Sequence, residues 1–326
     1  MRRKWLVAIG VMAVVIGVIL WWLRNDKQVV LSPEAPWLKV ERPLKKYSFP
    51  ELRKQVFVGS EIELERVLKD EAEYTSHLFF YESEGKKISG MANIPKSKGP
   101  LPVVIMIRGY VDQEIYETGV GTSRVAEVLA RNGYITLAPD FLGFGESDMP
   151  PNNSLHERFM RPGQILELMA SVKSLDKADP ERIFMWGHSN GGQIALSVLE
   201  ISGKKIPTTL WAPVSKPFPY SILYYTDEFD DYGRALRKVV AGFEAQYEAD
   251  EYSIHNYYDW IEAPIQIHQG TADEAVFLKW SEELEERLSE LNKQVELFVY
   301  PGADHNLVGS WDQAVREDLV FFDEAF

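Results

Sequence analysis

Gly187-His188-Ser189-Asn190-Gly191 sets small residues on both sides of one serine, and the apolar run Ile183-Phe184-Met185-Trp186 before it reads as a strand that turns at once into a helix. A side chain at 187 or 191 would collide where strand and helix meet, so the glycines leave Ser189 standing clear of the turn. At a helix start, Ser189 lies beside unpaired N–H groups that suit a developing oxyanion. A hydroxyl is a poor nucleophile at neutral pH and needs a base to take its proton. His305 can fill that role, in the loop Pro301-Gly302-Ala303-Asp304-His305-Asn306-Leu307, which leaves the strand Val295 to Tyr300. Asp273, in the loop Gln269 to Glu274 after the strand Ala263 to His268, would fix the imidazole tautomer and stabilise the imidazolium. Two other carboxylates compete with it. Glu274 would serve if its loop is turned, and Asp304 would have to bend back from beside His305. His77, His188, His255 and His268 lack tight ligand spacing and read as packing or hydrogen-bonding residues, so neither a metal nor a cofactor is expected.

The elements that must position these groups alternate. Ile62 to Leu68, His77 to Tyr81 and Lys87 to Ile94 read as antiparallel edge strands. Leu101 to Ile107, LPVVIMI, is apolar almost throughout and suits a central strand covered on both faces. Arg108-Gly109-Tyr110 follows it, so the backbone N–H of Tyr110 joins that of Asn190 as a candidate oxyanion donor. A helix over Ser123 to Asn132 leads to a buried strand at Tyr134 to Ala138. The polar stretch Asn152 to Arg161 is expected to cross the rim before a helix from Pro162 to Leu175. His156, Arg158 and Arg161 on that stretch read as solvent-facing or paired with a local carboxylate rather than as substrate contacts. Pro207 to Trp211 supplies a further strand. Residues 214–262 break the alternation with many aromatics among acidic residues, which predicts a helical lid over the active face.

The chain has 326 residues, with 35 Lys+Arg against 49 Asp+Glu and a formal net charge of −14. That balance gives a nucleic-acid partner no support. Cysteine is absent, which excludes disulfides, cysteine nucleophiles and thiolate metal sites. Residues 5–23, WLVAIGVMAVVIGVILWWL, carry no charge and are long enough to cross a bilayer as a helix. Arg2, Arg3 and Lys4 precede them, which predicts an uncleaved N-terminal transmembrane anchor in the lipid bilayer, with the rest of the chain outside the cytoplasm. Pro33, Pro36, Pro43 and Pro50 then mark 24–60 as a linker that becomes an arm packed on a hydrolase domain spanning 61–326.

Three segments carry a family resemblance: ADPERIFMWGHSNGG at 178–192, IQIHQGTADEAV at 265–276 and VELFVYPGADHNL at 295–307. They resemble the α/β-hydrolase superfamily, specifically the catalytic domain of the prolyl oligopeptidase family of serine peptidases and its stand-alone esterase-like relatives. The resemblance covers about residues 75–326 and places nucleophile, acid and base at Ser189, Asp273 and His305, in agreement with the loop argument. It implies an α/β-hydrolase fold with a mostly parallel eight-stranded sheet flanked by helices. The family's usual His-Gly-Gly stretch is replaced here by Arg108-Gly109-Tyr110, and residues 24–74 are too few for the β-propeller that its peptidases usually carry. The expected function is acyl transfer through Ser189. Hydrolysis of short peptides is the leading reading, hydrolysis of small acyl esters its alternative, and an inactive scaffold used for binding a third.

Overall fold

The structure is a computed structural model that describes residues 41–325. From Pro43 onward the described chain is one compact unit. It opens with the short helix α1 (Phe49–Leu52), whose Phe49 and Leu52 are buried. A nine-stranded sheet follows in the order β1-β2-β3-β5-β4-β6-β7-β8-β9. The strands β1 (Glu63–Asp70), β2 (Tyr74–Ser83) and β3 (Lys86–Pro95) run antiparallel to one another, and β3 pairs antiparallel with β5 (Ile135–Pro139). From β5 onward every neighbour is parallel, through β4 (Leu101–Ile107), β6 (Ala178–His188), β7 (Thr208–Trp211), β8 (Ile265–Gly270) and β9 (Val295–Tyr300).

Nine strands replace the expected eight. The outer edge is β1, where a strand was read at Ile62 to Leu68; it is exposed along its whole length, charged, and interrupted by two register irregularities against β2. Charge and irregular pairing are what an edge strand needs to avoid pairing with another chain. The strands beyond β5 show why both faces are covered. Along β4, Val103, Ile105 and Ile107 enter one core cluster while Val104 and Met106 enter the other. Period two sends alternate side chains to opposite faces, so a continuous apolar run needs helices on both.

Those helices are α2 (Ser123–Arg131), α3 (Ser154–Ser171), α4 (Asn190–Ser202), α5 (Tyr220–Leu223), α6 (Arg234–Glu244), α7 (Leu278–Glu290) and α8 (Trp311–Glu324). Helices α2 and α8 share one core, through Val125, Leu129, Val315 and Phe322, while α3, α4 and α7 share the other. Between β7 and β8 the chain forms α5, α6 and several 3-10 turns, and Phe218, Phe243 and Tyr252 from this stretch pack on Phe159 of α3.

Helix α3 corrects the expectation for 152–161. Asn153 caps it by accepting from the N–H groups of Leu155 and His156 at 3.0 and 3.1 Å, so the helix begins at Ser154 and Pro162 lies inside it. The asparagine cap outweighs the preference of proline for a first turn, because the helix is held by a buried apolar face from Leu155 to Met169. Arg158 and Arg161 therefore sit on a helix one turn apart.

The membrane expectation is also corrected. Among the described residues no helix is long and apolar enough to cross a membrane. Helix α4, the serine helix, has 13 residues against the roughly 20 that a bilayer requires, and it is buried by the sheet. Residues 5–23, on which the transmembrane expectation fell, lie outside the described residues. The transmembrane anchor, the lipid-bilayer partner and the single-pass extracytoplasmic placement are withdrawn.

Candidate active site

Ser189 sits at the junction of β6 and α4 with φ 56° and ψ −120°, a backbone conformation that a non-glycine residue adopts only under strain. The neighbouring glycines make it attainable. A Cβ at Gly187 would lie 2.8 Å from the Gly191 carbonyl oxygen, and one at Gly191 would lie 2.0 Å from that of Ile107. Two backbone bonds fix the turn further: the Ser189 N–H donates to the Trp211 carbonyl at 2.9 Å, and the Val214 N–H donates to the Ser189 carbonyl at 3.0 Å.

Asp273 and His305 come together from the loops after β8 and β9. His305 Nδ1 lies 2.8 Å from Asp273 Oδ2, and the Asp273 side chain is fully buried. The Asp273 carboxylate also accepts from the N–H groups of Ala275 and Val276 at 2.9 and 2.8 Å and from Gln269 Nε2 at 3.0 Å. Burial alone would raise its pKa, but the bonds from His305 and Val276 prevail and hold the carboxyl below the usual aspartate value. The structure thus separates the three carboxylates. Asp304 turns back on its own loop, accepting from the N–H groups of Asn306 and Val308, and His305 bonds Asp273 rather than Glu274.

His305 reaches the serine turn through His188. His188 Nε2 donates to the main-chain oxygen of His305 at 2.9 Å, and the two rings lie 4.7 Å apart. Burial, then the neighbouring His305, lowers the His188 pKa to about 4, so this imidazole is neutral near pH 7. Among the described residues the Ser189 hydroxyl forms no hydrogen bond, a looseness common where a nucleophile and base tighten only on a bound substrate.

The candidate oxyanion donors meet the same turn. A Cβ at Gly109 would lie 3.0 Å from the Ser189 Cβ, so the Arg108-Gly109-Tyr110 backbone runs against the serine. Arg108 is the residue that sequence reading missed here. Its Nη1 donates to the Gly109 carbonyl and its Nη2 to the Asp140 carbonyl, each at 3.0 Å, while its guanidinium lies over Tyr116 and Phe144. A trans peptide points its C=O and N–H in opposite directions, so holding the Gly109 oxygen turns the Tyr110 N–H away from Arg108. The Tyr110 side chain itself is 77% exposed.

Of the basic residues on α3, Arg161 has its carboxylate, with Nη2 2.5 Å from Glu157 Oε1. His156 Nε2 lies 3.0 Å from the Tyr47 hydroxyl. Arg158 has only neutral partners, its Nη2 donating to Gln193 Oε1 at 2.5 Å and to Asn190 Oδ1 at 3.2 Å. No local pattern announces this, because the helix that carries Arg158 and the helix that carries Asn190 meet only in the fold.

A model described as Peptidase_S9, the prolyl oligopeptidase family, matches residues 121–326, more than half of the chain. The chain belongs to that family. As a member of the prolyl oligopeptidase family it is 27% identical over 233 residues to a Bacillus subtilis protein named Uncharacterized peptidase YtmA, covering 69% of this chain and 84% of that one. Its fold is shared with an acetyl xylan esterase from Paenibacillus sp. R4, at TM-score 0.63 and 15% identity over 86% of this chain and 95% of the other. It is shared too with the Pyrococcus horikoshii acylaminoacyl peptidase, at TM-score 0.57 and 18% identity over 78% of this chain and 42% of the other. Family membership and fold make this chain a hydrolase of the serine-hydrolase-like α/β type.

Proposed function

We propose that the protein is a carboxylesterase that hydrolyses small acyl esters through an acyl-enzyme on Ser189. The observation that carries a hydrolytic role is the His305–Asp273 pair at 2.8 Å, held against the strained Ser189 turn by His188. The preference for esters draws on the extent of the structural likeness. An acetyl xylan esterase is covered over 95% of its length, whereas the acylaminoacyl peptidase is covered over 42%.

In this reading Ser189 Oγ adds to the ester carbonyl while His305 Nε2 takes its proton. The carbonyl oxygen becomes an oxyanion facing the N–H groups of Tyr110 and Asn190, each donor contributing about 3 kcal/mol. Collapse breaks the bond to the alkoxy group, which leaves with the proton from His305. Water then adds to the acyl-enzyme with His305 again as base, releasing the acid and free Ser189. Asp273 holds the Nδ1–H tautomer and the imidazolium without taking the proton.

Amide hydrolysis of short peptides is the second reading, favoured by the likeness to the B. subtilis protein named a peptidase. Parallel assays with p-nitrophenyl acyl esters and with matched short p-nitroanilides separate the two. Ester turnover at least a hundredfold above amide turnover is expected, and amide turnover equal to or above it would transfer the assignment to a peptidase. A fluorophosphonate should label Ser189 covalently. Well-folded protein that resists labelling would exclude both readings in favour of a binding scaffold.

A further inference from the structure

We propose that Arg158 is the anion-binding residue of an acyl pocket beside Ser189, so that the preferred substrates are esters whose acyl group ends in a carboxylate. This deepens the esterase reading and rests on it. The pocket is lined by Arg158, Phe159, Asn190, Gln193, Phe218 and Tyr252, among others, and it adjoins the serine turn through Asn190. The leaving group must depart beside His305, which returns its proton. No lining residue comes from the Asp273 or His305 loops, so the pocket takes the other side of the reacting carbonyl, the acyl chain.

The walls from Phe159, Phe218 and Tyr252 suit methylene groups, and the cation among them calls for a counter-charge. Arg158 is partly buried, and a guanidinium withdrawn from water is ordinarily paired with a carboxylate. Here the neighbouring Glu157 is bonded to Arg161, and Arg158 has two side-chain amide oxygens, both bonded through the one nitrogen Nη2. Its Nε and Nη1 make no hydrogen bond among the described residues. Both two-bond edges of a guanidinium use Nη2, so the uncommitted Nη1 offers a carboxylate oxygen one charge-assisted hydrogen bond. Desolvation, then the like charge of Arg161, depresses the Arg158 pKa, the direction expected of a cation that lacks its anion. Arg158 is thus a cation with neutral hydrogen-bond partners in a chain whose net charge is −14.

The test compares mono-p-nitrophenyl adipate with p-nitrophenyl hexanoate, acyl groups of equal length that differ in the terminal carboxylate. Wild-type protein should show a kcat/KM ratio of at least about 10 in favour of the adipate ester, since a hydrogen-bonded charge is worth about 10- to 100-fold. In R158Q that ratio should fall to about one, and in R158K part of it should return. A second pair, N-acetyl-glutamyl and N-acetyl-glutaminyl p-nitroanilide, distinguishes an acidic residue from a dicarboxylic half-ester as the source of the carboxylate. Adipate should also raise the Tm of the wild-type protein more than hexanoate does, with the difference lost in R158Q. That binding measurement needs no turnover: an Arg158-dependent adipate shift in protein that cleaves neither ester supports the subsite while rejecting the hydrolase reading. Ester turnover with no anionic preference, or with a preference unchanged in R158Q, overturns the subsite and leaves the hydrolase reading standing.

Discussion

His188 Nε2 donates to the main-chain oxygen of His305 at 2.9 Å, tying the residue before the candidate nucleophile to the loop that carries the candidate base. The bond fixes where the β9 exit loop stands relative to the serine turn. Replacing His188 with glutamine should lower kcat on p-nitrophenyl esters by about tenfold while circular dichroism shows a folded protein, because misplacing a base by a fraction of an ångström is costly. The same residue predicts an acid limb. Its folded pKa is depressed to about 4 from 6.5, so between those values the unfolded chain binds a proton that the folded chain refuses. Stability therefore falls as pH drops from 6.5 to 4, by up to roughly 3 kcal/mol from this group, and thermal unfolding of H188Q should show a flatter limb over that window.

Arg108 should act on the oxyanion through the Gly109 carbonyl. Arg108→Gln removes the fork that holds both the Gly109 and Asp140 oxygens, and kcat is expected to fall by about 100-fold with a smaller change in KM, the loss seen when one oxyanion donor is removed. Equal kcat in R108Q and wild type on a p-nitrophenyl ester would show that the Tyr110 N–H needs no such brace.

The three nearby carboxylates should separate by function as they do in geometry. Asp273→Asn is expected to cost about 10⁴ in kcat by presenting the wrong tautomer of His305. Glu274→Gln should remain within about threefold of wild type, since Glu274 is exposed and His305 bonds Asp273 instead. A large loss in E274Q with a mild one in D273N would reverse the assignment.

Ser189 offers a stability test that is independent of the substrate. Its φ of 56° with ψ −120° costs of order 1–3 kcal/mol in a non-glycine residue. Ser189→Gly should raise Tm while abolishing fluorophosphonate labelling, whereas Ser189→Ala should abolish labelling without that gain. Equal Tm in the two variants would show that the turn is not strained.

Glu200 lies on α4, wholly buried, with neither carboxyl oxygen hydrogen-bonded. Burial, with Asp259 nearby, pushes its pKa well above the ordinary value. Above about pH 4.3 the unfolded chain loses this proton while the folded chain retains it, so stability declines with rising pH until the folded pKa is passed. Glu200→Gln should remove that decline and raise Tm at pH 8 by about 3 °C, with a smaller difference at pH 4.5.

The strand, turn and helix around Ser189 were legible in the chain because their causes are local. The steric limits at Gly187 and Gly191 and the apolar period of β4 and β6 act between residues a few positions apart, and these determined where strand, turn and helix fall. Exit loops after β8 and β9 could be read the same way, which put Asp273 and His305 on the list of candidates. Tertiary structure alone decided which carboxylate meets the imidazole, because that choice depends on how the loop after β8 folds under the N–H groups of Ala275 and Val276. It also decided that 154–161 is helical and that Arg158 has only Asn190 and Gln193 as hydrogen-bond partners. An ion's partner is set by what the whole fold brings within about 4 Å, and residues more than 30 positions apart in sequence carry no local trace of that meeting.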